Sequence, residues 1–193
     1  MNKIYSPEED SYLLSKVLEN KIPKLLSENP DLTFLEIGSG SGIQLKTALK
    51  SGIKKQNIFS SDINITAVEY CKNLGFNCIK SDLFEVFKRK IKRRKPWCPR
   101  KYDLIIFNPP YLPENSQEPS DSKISTTGGK KGSEIINKFL KQAKSHLNKN
   151  GKIFLLTSNL TKEIDFLNYE KKILAKKKLF FEELFVWELS ITQ

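Results

Sequence analysis

The sequence predicts an α/β fold, a mostly parallel sheet with helices on both faces. Three observations carry this prediction. Five short apolar runs of four to six residues alternate with stretches in which apolar residues recur at helical spacing. The run Thr33–Ile37 opens directly into a glycine-rich turn, as the first strand of a nucleotide-binding sheet does. No repeat or Pro/Gly/Ser-rich linker divides the 193 residues, so a single domain over residues 1–193 is expected.

The elements follow in order. Ser6 and Glu9 have capping-box spacing and Pro7 suits a first helical position, so a helix is expected from Ser6. Leu13, Leu14, Val17 and Leu18 then share one face. Strands are expected at Thr33–Ile37, Asn57–Ser61, Asn77–Lys80, Tyr102–Phe107 and Lys152–Thr157. Helices are expected at Ile43–Leu49, Thr66–Leu74 and Ser133–Leu147, with a further one around Leu160–Tyr169. The tail KKILAKKKLFFEELFVWELSI reads as two β-rich segments joined by a short turn, hence an antiparallel pair at a sheet edge. The aperiodic stretch Leu112–Gly132 is long for a loop, a length usually tied to function.

Composition narrows the class. Hydrophobic residues at 38% and charged residues at 28% allow a real core and argue against disorder. The longest apolar runs, Leu104–Phe107 and Ile153–Leu156, fall far short of the roughly 18 residues that span a bilayer. The opening MNKIYSPEED lacks a signal-peptide pattern, and three cysteines without a CxxC pair suit a reducing cytoplasm. A cytoplasmic protein with no membrane partner is therefore expected. His146 is the only histidine, which leaves little room for His-based acid–base chemistry, and the chain cannot build a zinc ribbon or other convergent metal site alone.

The chemistry concentrates in three places. In FLEIGSGSG (Phe34–Gly42) a strand runs into a glycine turn, and Asp62 stands twenty residues after Gly42 at the end of the second strand. That is the spacing at which a nucleotide-binding fold sets a carboxylate against ribose hydroxyls, in NAD enzymes and methyltransferases alike. Ser81–Asp82 follows the third strand, where Asp82 can accept from an adenine amino group with Leu83 beside the ring. An SD pair is equally a helix cap. Finally, DLIIFNPPY (Asp103–Tyr111) ends a buried strand abruptly at two prolines that donate no N–H. The Asn108 side-chain oxygen and the Pro109 carbonyl can together accept both hydrogens of a planar NH₂ group, with Tyr111 stacked on its face.

In that order, EIGSGSG, Asp62, Ser81–Asp82 and NPPY resemble a class I S-adenosylmethionine-dependent methyltransferase acting on a planar amine or amide nitrogen. More narrowly, YSPEEDSYLL (Tyr5–Leu14) is similar to the Y-x-P-x-E-D-[ST]-x-L-L opening of the HemK-like family, in its small archaeal and eukaryotic form. TGGKKG (Thr127–Gly132) resembles the family's A-G-G-x-x-G loop, and KKKLFFEELFVWEL resembles its final strand pair. The resemblance covers nearly the whole chain. It implies a Rossmann-like, seven-stranded sheet of order 3-2-1-4-5-7-6 and methylation of the glutamine in the Gly-Gly-Gln motif of class 1 translation termination (release) factors. It also implies that S-adenosylmethionine is held by Ser11, Glu36, Gly38, Gly40, Asp62, Asp82, Leu83 and Asn108. Asn108, Pro109, Pro110 and Tyr111 would form the catalytic pocket. A small zinc-ribbon activator protein is the implied partner. In the expected strand order Asn77–Lys80 lies at an open edge, where a partner strand could add and cover Phe76 and Ile79 unless helices, loops and lysines already protect it.

Net charge is +11, and the run from Lys88 to Lys101 alone holds nine basic residues and no acidic one. The rest of the chain stands near +2. Such a run suggests contact with a ribosome or RNA, or else a solvated insertion. It also supports the competing reading, an RNA or DNA exocyclic-amine methyltransferase, since a flipped adenine or guanine presents the same planar NH₂. A basic RNA-binding module with a relic cofactor site is the non-enzymatic alternative, and the intact glycines, Asp62 and NPPY argue against it.

Overall fold

The computed structural model describes residues 4–88, 99–114 and 126–191. Among them, β1 (Phe34–Ile37), β2 (Ile58–Asp62), β3 (Asn77–Lys80), β4 (Tyr102–Phe107), β5 (Leu147–Ser158), β6 (Tyr169–Lys178) and β7 (Glu183–Ile191) form one sheet. The order is β3-β2-β1-β4-β5-β7-β6, the Rossmann-like arrangement expected of a class I methyltransferase. β1 to β5 are parallel, and β7 runs antiparallel to both neighbours.

Side chains on successive strand positions point to opposite faces, and here both faces are covered. Phe34, Leu104, Ile106, Phe154 and Leu156 bury on one face. There they meet Leu14, Leu18 and Ile22 of α1 (Glu9–Glu28), Leu45 of α2 (Ile43–Lys50) and Val68 of α3 (Ile65–Asn73). Leu35, Ile105, Phe107, Ile153 and Leu155 bury on the other, against Phe84, Phe87 of α4 (Glu85–Lys88) and Phe139 of α5 (Glu134–Ala143). Each fully buried side chain of this size contributes about 1.5–3 kcal/mol. No helix of the described residues is long and apolar enough to cross a membrane.

Four expectations are corrected. The first helix starts at Glu9 rather than Ser6, and its N-cap, Glu8, makes no side-chain cap. The would-be box residue Glu9 pairs with Lys177 instead. No helix forms around Leu160–Tyr169. Glu163 and Leu167 take φ of 58° and 51°, the Asp165 carboxylate accepts the Leu167 N–H, and β6 begins at Tyr169. Phe76 is not an apolar surface awaiting a partner, because it is 6% exposed and packed in the core. The predicted helix Ser133–Leu147 divides into α5, a 3-10 turn at Lys144–His146 and the start of β5. His146 itself is structural: it is buried, stacks on Phe84 at 4.7 Å and has Nδ1 3.0 Å from the Arg100 carbonyl. Most of the basic run, residues 89–98, lies outside the described residues.

Candidate active site

β1, β2 and β4 end in step, with Ile37 beside both Ser61 and Phe107 in the sheet register. The residues that follow each strand therefore meet at the carboxyl edge of the sheet, where nucleotide-binding α/β folds place their ligands. A cavity of about 440 Å³ opens there. It is lined by every one of the predicted cofactor residues, Ser11, Glu36, Gly38, Gly40, Asp62, Asp82, Leu83 and Asn108, and by Pro109 and Pro110.

Asp62 closes the end under the glycine turn. Its Oδ2 accepts the Gly40 N–H at 2.9 Å and faces the Ser39 hydroxyl at 3.4 Å, while Oδ1 accepts the Asn64 N–H at 2.8 Å. Burial pushes its carboxyl up, and these hydrogen bonds oppose the push. Glu36 on β1 is 3% exposed, and its Oε2 has no hydrogen-bond partner. Burial, reinforced by Cys78 and Asp62, holds its carboxyl well above the usual carboxylate range. The acceptor set suits a ligand that carries hydroxyls, as S-adenosylmethionine does: two buried carboxyl groups, one of them with an unused oxygen.

At the other end, Asp82 Oδ2 accepts from Lys138 of α5 at 2.5 Å. The Ser81 hydroxyl accepts the Val86 N–H at 3.1 Å, so this pair caps α4 as well as lining the cavity. Leu83 holds a φ of 47°, a strained conformation for a branched residue that costs on the order of 1–3 kcal/mol and concentrates at functional sites.

The NPPY turn leaves β4 at the mouth of the cavity. Asn108 Nδ2 donates to Asp10 Oδ2 at 3.2 Å and lies 3.5 Å from the Ser11 hydroxyl. Its Oδ1 is buried with no partner among the described residues. Tyr111 is placed differently from the rest. It does not appear among the cavity-lining residues but packs, partly buried, against both cores, and burial pushes its phenol far above the ordinary range. Its carbonyl accepts the Thr161 hydroxyl at 2.9 Å.

The TGGKKG loop braces this turn from behind. Gly128 N–H donates to the Leu112 carbonyl at 2.9 Å, and Leu112 pairs with Thr127 in a single parallel bridge. A Cβ on Gly128 would fall 2.5 Å from the Pro110 carbonyl oxygen, and one on Gly132 would fall 2.3 Å from that of Tyr111. Glycine is required at both positions because backbone lies against backbone.

Sequence reasoning missed Tyr5, Asp10, Gln44, Ile135 and Lys138, all of which line the cavity. Gln44 ties two helices to the site, donating to the Ser11 carbonyl at 2.8 Å and accepting from Ser15 at 2.9 Å. Tyr5 and Asp10 lay in the YSPEEDSYLL motif, yet nothing in the motif says that the segment crosses the sheet edge to reach Asn108.

With this geometry in place, comparison with known proteins is specific. Residues 11–178 match the methyltransferase small domain family. The Methanocaldococcus jannaschii protein MJ0928, named a protein N5-glutamine methyltransferase, is 36% identical over 97% of this chain and 93% of its own length. The human methyltransferase HEMK2 is 32% identical over 80% of this chain and 71% of its own. Among solved structures, the fold matches that of the E. cuniculi Mtq2–Trm112 complex responsible for methylating the eRF1 translation termination factor. That match has a TM-score of 0.67 at 22% identity and covers both chains fully. Fold, site geometry and these likenesses agree, and the chain belongs to the methyltransferase small domain family.

Proposed function

We propose that this chain, acting as one methyltransferase domain, methylates the side-chain nitrogen of the glutamine in the Gly-Gly-Gln motif of a class 1 release factor, in the cytoplasm. The observation that supports this most is the Asn108–Pro109 corner, where a buried acceptor without a partner stands at the cavity edge. A glutamine NH₂ has two in-plane hydrogens and needs two acceptors. Asn108 Oδ1 and the Pro109 carbonyl fill those places.

S-adenosylmethionine supplies a methyl carbon already activated on a sulfonium. What the chain contributes is position, because an amide nitrogen is a poor nucleophile with its lone pair delocalised into the carbonyl. Holding it fixed contributes on the order of 7–11 kcal/mol in favourable systems. Positive charge that develops on the nitrogen faces Asn108 Oδ1 and the Pro109 carbonyl, so both acceptors bind the transition state more tightly than the ground state. Transfer of the methyl from the sulfonium would leave a neutral thioether and a cationic N-methyl amide acidic enough to release its extra proton to water, and His146, stacked on Phe84, takes no part.

A small zinc-ribbon activator fits the edge of β3, an outer strand of the sheet that pairs on one side only among the described residues, where a further strand could add. Beside it α3 leaves Ile65 and Tyr70 about 40% exposed. Co-expression with the activator should raise soluble yield and turnover. A purified single chain at full activity that gains nothing from it would rule the partner out.

The test of the reaction is labelled cofactor with three acceptors: the full-length termination factor, a Gly-Gly-Gln peptide and bulk RNA. Mass spectrometry should find one methyl on the motif's glutamine. Label entering RNA instead would favour a nucleic-acid amine as substrate, a reading whose chief support, the basic run, lies mostly outside the described residues.

A further inference from the structure

Asn108 can face its surroundings in two ways that differ only by exchange of oxygen and nitrogen. Only one of them offers an acceptor to a substrate NH₂. We propose that Asp10 is the positioning residue that chooses between them. The inference rests on the reading of the site as one that binds a planar amide.

Asp10 lies in the first turn of α1, 98 residues from Asn108 in the chain, and is 5% exposed. An ionised carboxylate accepts hydrogen bonds and donates none. Facing Asp10 Oδ2 at 3.2 Å, Asn108 must present its NH₂ there. The reverse orientation would set two acceptors against each other in a site withdrawn from water. Oδ1 is thereby committed to the other side, where it has no protein partner.

The carboxylate is itself fixed. The Tyr5 hydroxyl donates to it, 3.3 and 3.2 Å from its two oxygens, and the Ser11 N–H donates to Oδ1. This explains why the chain before α1 is not spent on a helix cap. The backbone is extended at Glu8, and Tyr5 reaches back to lock Asp10. Donation from Asn108 to a charged acceptor also polarises the amide, leaving Oδ1 a stronger acceptor for the substrate.

The contact predicts a signature that does not depend on activity. In nitrogen–proton correlation spectra of the wild-type chain, assigned by loss of the peak in Asn108→Ala, one Asn108 Nδ2 proton should be shifted downfield and protected from exchange. Ordinary shifts and free exchange would overturn the proposal, whatever the variants do. Asp10→Ala should lower kcat on a Gly-Gly-Gln peptide ~10- to 100-fold, the size typical when a partner that orients an active-site group is lost. Its dissociation constant for S-adenosylhomocysteine, measured by titration calorimetry, should stay within about threefold. In the Asn108→Ala background, Asp10→Ala should cost nothing further, since Asp10 acts through Asn108. Additive losses would mean a general structural role and would overturn the proposal. So would a wild-type chain that methylates the peptide and an Asp10→Ala chain that does so equally well. Tyr5→Phe, which keeps the Asp10 contact and removes only its lock, should lose less than Asp10→Ala. The amide signature in a wild-type chain that methylates no Gly-Gly-Gln substrate would support the Asp10 assignment and overturn the substrate reading.

Discussion

Asn108, Asp62 and Glu36 line one cavity, and single substitutions test separately what the proposed function asks of each. Asn108→Ala should leave cofactor affinity within a few-fold and abolish most transfer, as titration calorimetry beside a turnover assay will read. Asp62→Ala should act in the opposite order. Its carboxylate holds the Gly40 and Asn64 N–H groups as well as facing the cavity, so cofactor binding should weaken first, by about 1–3 kcal/mol. An unchanged dissociation constant would remove Asp62 from the ribose site. Glu36 gives a prediction in pH. Its carboxyl is raised in the folded state, so the native chain binds more protons than the unfolded one once pH passes the ordinary carboxylate range. Stability from this group is then full below about pH 4 and falls as pH rises. Glu36→Gln removes the penalty, so its melting temperature should exceed that of the wild type by a margin that grows from pH 4 to pH 8. A gain of roughly 2–4 °C is expected per kcal/mol relieved. A constant difference across that range would mean that Glu36 stays ionised.

At the scale of elements, the strands were legible, while the start of α1 and the path of the segment after β5 were not, for physical reasons. Strand runs such as Tyr102–Phe107 bury on both faces and read as continuous apolar stretches whatever their neighbours do. The start of α1 depended on where Tyr5 and Glu9 find partners, Asp10 and Lys177, and both contacts are tertiary. The segment after β5 has helical apolar spacing, but Asn137 of α5 captures it, donating to the Glu163 carbonyl and accepting the Asp165 N–H at 2.9 Å. The loop behind NPPY supplies the element-scale prediction. Gly128→Ala should cut transfer sharply while cofactor affinity changes little, because the added Cβ collides with the Pro110 carbonyl and displaces the turn. Normal turnover would show that the loop does not brace the site. The tip between β6 and β7 should behave oppositely: Phe180 and Phe181 are 92% and 85% exposed, so Phe180→Ser with Phe181→Ser should barely shift the melting temperature.

For the whole molecule, charge is the property that the fold does not explain. Nine basic residues between Lys88 and Lys101 contrast with the near-neutral remainder of the sequence, and of the two whose side chains are described, Arg100 and Lys101, neither lines the cavity. Neutralising several should lower the association rate with the full termination complex at low salt, with no change on a short Gly-Gly-Gln peptide. Equal losses on both substrates would point to a structural role for the run.

The sequence by itself determined the alternation of strands and helices, the glycine turn with Asp62, and the NPPY corner. These are encoded locally: periodicity, φ freedom and the absence of a proline N–H act within a few residues of one another. Only the tertiary structure decided that the sheet edge gathers Tyr5, Asp10, Gln44 and Lys138 into the same cavity, and that Tyr111 is drawn into the core rather than the lining. The same holds for the orientation of Asn108. An amide has no preferred face until a carboxylate 98 residues away is folded against it.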